Sequence, residues 1–533
     1  MAFSTTYIPY RQTKCFSSIA LDYLSAASSI KPFYQQPPTI EGIRQTIKNK
    51  AAQFTGRPLL VKELKSRYQS LPSHTAVNDN IELLLKENCF TVCTAHQPNI
   101  FTGHLYFVYK ILHTIKLCRE LKINFPENHF VPVYFMGSED ADLQELGEIM
   151  IAGKKYSWHT DQKGAVGRMI IDKPFIQLID ELESQLSVEP FGKEIIQTVR
   201  DCYSLGKSIE EATFRFVHHL FGEFGLVILL PDSSILKNAF IPVMERELVH
   251  SFSEPLVQKT IRVMPGEYKI QVTGRPINLF YLKDGLRERI EKKGDHYIIA
   301  NTALQFTESQ ILIELKENPG RFSPNVILRP LLQEALLPNI VFIGGGAEIA
   351  YWLELKNVFE AARIPYPVLL LRNSFAIVPK KIADKILDLD LMPADFFEPE
   401  LKIINGLVQR RSLKQLSLSN EKLALIKIYD SIRKTAAEID MSLDRHVWAL
   451  QSTALNRIAL LEKKMLKAEK KKFESEQRQV SKIKDSFFPG GVLQERVENI
   501  LPYYSRYGKS IIDELLLAST GLQQQFCILT QTH

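Results

Sequence analysis

Residues 89–104 read CFTVCTAHQPNIFTGH, and residues 129–142 read HFVPVYFMGSEDAD. The apolar run Cys89–Thr94 predicts a short buried strand, and the polar turn Ala95–His104 follows it. Apolar positions at Leu105, Val108, Leu112, Ile115 and Cys118 predict an amphipathic helix. Phe130–Met136 predicts a second strand, which ends in Gly137-Ser138-Glu139-Asp140-Ala141-Asp142. Strand, loop, helix, strand, loop is the unit that builds a parallel sheet. Both polar loops then lie at carboxyl ends of strands. If the two strands are neighbours, the loops share one crevice, where open α/β sheets bind ligands.

A chain of 533 residues exceeds what one core supports, so two or more domains are expected. Hydrophobic content of 45% and charged content of 24% fit a soluble globular protein. No apolar run reaches the roughly 18 residues of a membrane span. Met1–Tyr10 lacks the basic-then-apolar pattern of a secretory signal. Cys15, Cys89, Cys93, Cys118, Cys202 and Cys527 are scattered, as buried thiols in a reducing compartment would be. The expected location is the cytoplasm. The net charge of +6 is local, much of it in the run EKKMLKAEKKK at 462–472, which reads as a solvated helix face. With no recognised binding module beside it, nucleic acid is not an expected partner, nor is a membrane.

The first half of the core is expected over 1–150, with residues 1–88 packed around the sheet edge. A helical insertion follows over 151–220. The core resumes over 221–260, where Leu226–Leu230 predicts a strand ending near Asp232. A small mixed β insertion is expected over 261–325. Its runs Tyr268–Val272 and Asn278–Leu282 are separated by Thr273-Gly274-Arg275-Pro276, and Asp284-Gly285 marks a turn. The second half of the core, 326–380, holds a strand Asn339–Ile343, a helix Ala347–Ala362 and a last strand Val368–Leu371 ending at Arg372. A helical coiled-coil domain is expected over 381–488. Apolar residues there step by three and four from Ala436 through Leu443, Val447 and Leu450 to Ala468, a long seam that is self-paired or antiparallel. The segment 489–533 predicts helix returning to the core.

Gly344-Gly345-Gly346 stands between strand and helix, so a ligand can approach backbone amides at a helix N-terminus there, or the glycines simply make a tight turn. Glu348 can serve a ligand or cap its own helix. The pattern is not G-x-G-x-x-G, and no Walker A motif exists. Cys93 and His96 have the spacing of half a metal site without a second pair, so no metal is expected. Glu139, Asp140 and Asp142 form an acid cluster suited to base, acid or amine-anchoring roles, and Asp140 or Asp142 can equally cap the next helix.

Thr94-Ala95-His96-Gln97 with Thr102-Gly103-His104-Leu105-Tyr106 resembles the TGQQ…TGPLY signature of the bacillithiol biosynthesis cysteine-adding enzymes. Gly137–Asp142 is similar to their GEDHD segment. Arg329-Pro330-Leu331, Gln333-Glu334 and Gly345–Trp352 resemble their RPL.QE…GPGEIAYW block, and Phe488–Arg496 their FP.G.LQER. The resemblance covers essentially the whole chain in order. It departs at Ala95, His96, His104 and Ala141, which stand where the family has Gly, Gln, Pro and His. The resemblance implies a Rossmann-like core with inserted segments, a coiled-coil domain and a homodimer formed through it. It also implies a ligase-type reaction, joining the carboxyl of cysteine to the amine of malyl glucosaminide to give bacillithiol. The residues leave the activating cofactor open, ATP or ADP included.

The candidate catalytic residues are Glu139, Asp140 and His96. Candidate substrate-binding residues are Thr94, Gln97, Thr102, Gly103, Asp142, Arg329, Gly344, Gly345, Gly346, Glu348, Tyr351 and Trp352. One pocket is expected to border Gln97, Thr102, Asp140, Gly345 and Glu348. The helices starting near Thr102 and Ala347 would both aim their positive ends at it. Two other functions remain open from the residues alone: a nucleotidyl or glycosyl transferase on the same core, and a coiled-coil scaffold with a vestigial site.

Overall fold

All eight side chains of β1 (Cys89–His96) are buried, as a central parallel strand covered on both faces requires. The computed structural model describes residues 2–532. After β1, α1 (Leu105–Asn124) crosses to β2 (His129–Met136), and β3 (Val227–Leu229) follows. The chain then returns to the other side of β1 with β4 (Asn339–Gly344), α2 (Gly346–Glu354) and β5 (Val368–Leu371). The sheet order is β5-β4-β1-β2-β3, with every pairing parallel. Strand order reverses between β1 and β4, which makes that gap the topological switch point. Phe90, Val92, Leu117, Leu121, Ile343 and Leu370 belong to one buried cluster that joins α1 to the sheet.

The sequence predicts α1 as amphipathic, yet Phe107–Ile115 are all buried. Strands and the segment after residue 493 cover this part of the helix, so its polar residues Lys110 and His113 lie inside. The helix expected over Ala347–Ala362 breaks at Leu355, whose amide turns to the Trp352 carbonyl at 2.9 Å; Lys356–Ala362 is a separate helix.

The insertion after residue 150 begins within a β-hairpin, Glu148–Ile151 with Lys154–Ser157, before helices Lys173–Leu186, Gly192–Cys202 and Ile209–Phe221. The second insertion is not mixed. Its sheet has five strands, all antiparallel, in the order 305–307, 296–299, 286–293, 279–283, 322–324. Asp284-Gly285 closes the hairpin, with Gly285 at φ 69°. Tyr268–Val272 is not a strand: the amides of Gln271 and Val272 donate instead to the Glu354 carboxylate at 2.8 and 3.1 Å. The C-terminal segment is not wholly helical either, since helices Leu501–Tyr507 and Ser510–Ala518 are followed by strand Gln525–Gln531.

The chain divides into two compact units. One comprises Thr5–Ala376 and Leu493–Leu529; the other is Ile377–Val492 with short pieces of both termini. In the second unit the expected seam is interrupted at Asp440–Ser442, giving helices Ser419–Ile439 and Leu443–Lys470. The Asp440 carboxylate accepts from Ser442 N at 2.8 Å and fixes the turn. The two helices pack antiparallel on each other. Arg433 reaches Asp444 near the turn through two bonds of 3.0 Å, and Lys422 pairs with Glu462 toward the far end. Part of the apolar stripe is thus consumed within one chain. Among the described residues no helix is long and apolar enough to cross a membrane.

Candidate active site

At the switch point β1 and β4 are held in register by Thr94 Oγ1, which donates to the Ile343 carbonyl at 2.8 Å. The loops after β1 and β2 are then stitched together. Gly137 N donates to the His96 carbonyl at 2.8 Å, and Gln97 Nε2 donates to Asp140 Oδ2 at 3.2 Å. The other Asp140 oxygen accepts from the amides of Ala141 and Asp142 at 2.7 and 3.3 Å. A cavity of about 380 Å³ opens beside these loops. His96, Gln97, Glu139, Asp140, Arg329, Gly345, Gly346, Glu348 and Tyr351 line it. So do Tyr106, Lys110, Glu145, Arg287, Arg372 and Arg496, which sequence reasoning did not select.

Six expected residues do not line this cavity. Thr94 is buried and occupied with the β4 carbonyl. Gly344 packs under the turn, where a Cβ would meet Phe342 at 2.8 Å. Trp352 is fully buried and stacked on Phe342 at 4.2 Å. Asp142 caps the short helix Leu143–Leu146 through Glu145 N at 3.0 Å. Thr102 and Gly103 belong to a tight loop with φ of 73° and 63°, and a Cβ on Gly103 would come within 2.7 Å of Asn99. The Glu498 carbonyl takes the Leu105 amide at 2.8 Å, and Asn499 Nδ2 donates to the carbonyls of Phe101 and Gly103. The amide that opens α1 is therefore taken by residue 498, so α1 offers the cavity the Tyr106 side chain, while α2 brings its glycine turn to it. Cys93 and His96, three apart on one strand, point to opposite faces and cannot share a metal. Among the described residues no group of three or more His, Cys, Asp or Glu side chains is placed to hold a metal ion.

The acid loop separates two roles. Glu139 is tied to Lys237, and Ser323 Oγ donates to it at 2.9 Å. Lys237 is fully buried and also reaches Asp232 at 3.2 Å, which Arg168 grips with bonds of 2.6 and 2.8 Å. Burial pushes the Glu139 carboxyl up against the pull of Lys237. Burial would raise Asp232 too, but Arg168 and Lys237 hold it at about 2. Beneath the same loop, Ser138 donates to Glu210, whose carboxyl is pushed up to about 7 chiefly by burial. Glu139 thus anchors the loop with its oxygens engaged. Asp140 also has both oxygens bonded, but only to neutral amides; partly exposed and without an ion pair among the described residues, it is the acid of the two left to meet a ligand.

The buried Lys110, also on the cavity, donates to the Ala95 carbonyl at 2.9 Å and pairs with Glu348. Glu348 also accepts from Gly345 N at 2.8 Å, so it caps α2 and ties the glycine turn to α1. Arg372 and Glu495 form a buried two-point pair at 2.8 and 3.0 Å. Burial, and then the charge of Lys110, holds the His96 imidazole well below its usual range. Neutral His96, with Tyr106 and Phe107 rings at 5.4 and 5.3 Å, is fitted to hydrogen bonding more than to storing a proton.

A parallel sheet, a cavity at its switch point and a separate antiparallel helical hairpin define a Rossmann-like protein with a coiled-coil domain. The chain belongs to the bacillithiol biosynthesis BshC family. The model of that family's N-terminal Rossmann-like domain matches residues 3–373, and the model of its C-terminal coiled-coil domain matches residues 375–531. A Flavobacterium johnsoniae protein named "Putative cysteine ligase BshC" is 38% identical, with 99% of each chain covered. The protein of the same name from Christiangramia forsetii is 37% identical over 99% of each. That from Salinibacter ruber is 28% identical over 94% of each.

Proposed function

We propose that this chain is a cytoplasmic cysteine ligase that joins the carboxyl carbon of cysteine to the amine of malyl glucosaminide, giving bacillithiol. One observation carries the reading: four motif segments far apart in sequence meet at a single cavity. They supply Gln97, Asp140, Arg329 with Glu348, and Arg496. The substrate carries an amine and carboxylates, and the cavity offers acids and cations side by side.

The reaction forms a C–N bond and breaks a C–O bond at the cysteine carboxyl. The attacking amine must be neutral and must lose a proton as the bond forms. Asp140 is the group assigned to accept it, oriented by Gln97. His96 would hydrogen-bond a substrate group as a neutral imidazole. Lys110 and Glu348 hold the glycine turn, so that substrate meets a fixed wall. A carboxylate oxygen leaves poorly, so cysteine must arrive activated. The test is omission: complete mixtures are compared with mixtures lacking cysteine, malyl glucosamine or ATP. Turnover of a sugar nucleotide in place of thiol formation would assign the site to a transferase.

The same reading includes a homodimer through the helical hairpin. Its support is the exposure of Leu423, Ile428, Trp448, Leu450 and Leu460 on those helices, more apolar surface than a solvated hairpin needs. Light scattering is expected to give a dimer, and Trp448→Asp with Leu450→Asp a folded monomer. A monomeric unmodified protein contradicts this.

A further inference from the structure

The cations around the cavity, apart from the exposed Arg496, fall into two groups. Lys110 has Glu348, Lys237 has Glu139 and Asp232, Arg168 has Asp232, and Arg372 has Glu495. Arg287 and Arg329 form no ion pair among the described residues, although the Asp140 and Glu139 carboxylates act on Arg287 through space. No described residue accepts a hydrogen bond from the Arg287 guanidinium or pairs with it, and its Nε is shut off from solvent without a partner. Arg329 Nη2 donates to the Tyr351 hydroxyl at 2.6 Å, while its Nη1 is shut off and unpartnered. Both residues are half-buried, and a half-buried guanidinium without a bonded acid is a ready partner for an anion. Two such groups on one cavity wait for an anion.

They also come from different elements. Arg329 opens the helix Arg329–Leu336, whereas Arg287 lies on strand Leu286–Lys293 of the inserted antiparallel sheet. Its guanidinium stacks on the Phe280 ring at 3.8 Å, which fixes its plane. The hairpin turn is seated against Gly164: at φ 90° a Cβ there would lie 2.7 Å from Leu286 N. The insertion is thus placed to deliver one charged side chain, along with Pro324 of its last strand, to a cavity built mostly by the core.

We propose that Arg287 and Arg329 form a two-point clamp for a small organic dianion, one oxyanion group on each guanidinium. Planar forked donors suit carboxylate and phosphate oxygens, and two forks from different elements suit two oxyanions on one molecule. On the ligase reading, on which the identity of the ligand rests, these are the two carboxylates of the malyl group. Asp140 on the same cavity would then face the amine end.

The test is calorimetric titration of the full chain with L-malate and, separately, with inorganic phosphate. Arg287→Gln and Arg329→Gln are each expected to bind the dianion roughly tenfold more weakly or worse. Arg289→Gln, exposed on the same strand, is the control for the sheet and should bind as the unmodified chain does. Thermal unfolding of each variant checks folding. Malate bound more tightly than phosphate identifies the dicarboxylate. Phosphate preferred over malate overturns the two-oxyanion clamp, since phosphate cannot place a separate oxyanion group on each guanidinium. Unchanged affinity in both Gln variants, or no binding of either dianion by the unmodified chain, overturns the proposal. Neither titration involves cysteine or turnover, so a chain that binds malate yet makes no thiol would sink the ligase reading and leave the clamp.

Discussion

Asp140→Asn lowers thiol formation by about a hundredfold or more, the usual effect of deleting a positioned proton acceptor, and leaves the fold intact. The amide that replaces the carboxylate keeps an oxygen for the Ala141 and Asp142 amides, so the loop retains its turn. It loses the negative charge and the basic oxygen beside Gln97. The neighbouring Glu139 does not substitute, because Lys237 and Ser323 occupy its oxygens. Steady-state rates with the unfolding midpoint as companion check this. Near-normal turnover with an unchanged midpoint would make Asp140 a loop-shaping residue only.

The second large effect is on stability. Lys237→Met removes the cation bonded to Glu139 and Asp232 in a site with no solvent access to Lys237. Breaking a buried pair by deleting one partner costs about 3–5 kcal/mol. Asp232 keeps Arg168, so most of the loss falls on Glu139. Denaturant unfolding should show the drop, and Lys237→Met with Glu139→Gln should recover part of it. The acid side adds a sign. Asp232 is held at about 2, below its ordinary 3.8, so its contribution is present above the ordinary value and lost as pH falls toward the held one. Without Lys237 that acid-side loss shrinks. Unaltered stability in Lys237→Met would contradict the network.

Much of the core was legible because β1, β2, β4 and β5 are apolar runs bounded by turn residues, a local signal that burial preserves. The meeting of Gln97 with Asp140 and Gly345 followed from placing loops at strand ends. Other features are set by contacts distant in sequence. Thr102 and Gly103 look like the opening of a binding helix, but residue 498 takes the amide that opens it. Tyr268–Val272 has strand-like composition, yet Glu354 takes its amides. Lys110 left a signal, a lone cation among the apolar positions of α1. Arg287 left none, since LRERIEKK reads as an exposed basic strand until the hairpin is folded against the core. The single seam from Ala436 to Ala468 failed at Asp440, whose side chain favours a turn over the helix interior.

The central claim is that this cavity condenses cysteine with an amino sugar. The most direct measurement is mass spectrometry of a reaction holding the purified chain, cysteine, ATP and malyl glucosamine with an isotopically labelled amine nitrogen. The predicted result is a new thiol with the combined mass of the two substrates less water, the label retained in the amide, and its formation largely lost in Asp140→Asn. Recovery of unchanged substrates with the folded dianion-binding protein, with and without ATP, would contradict it.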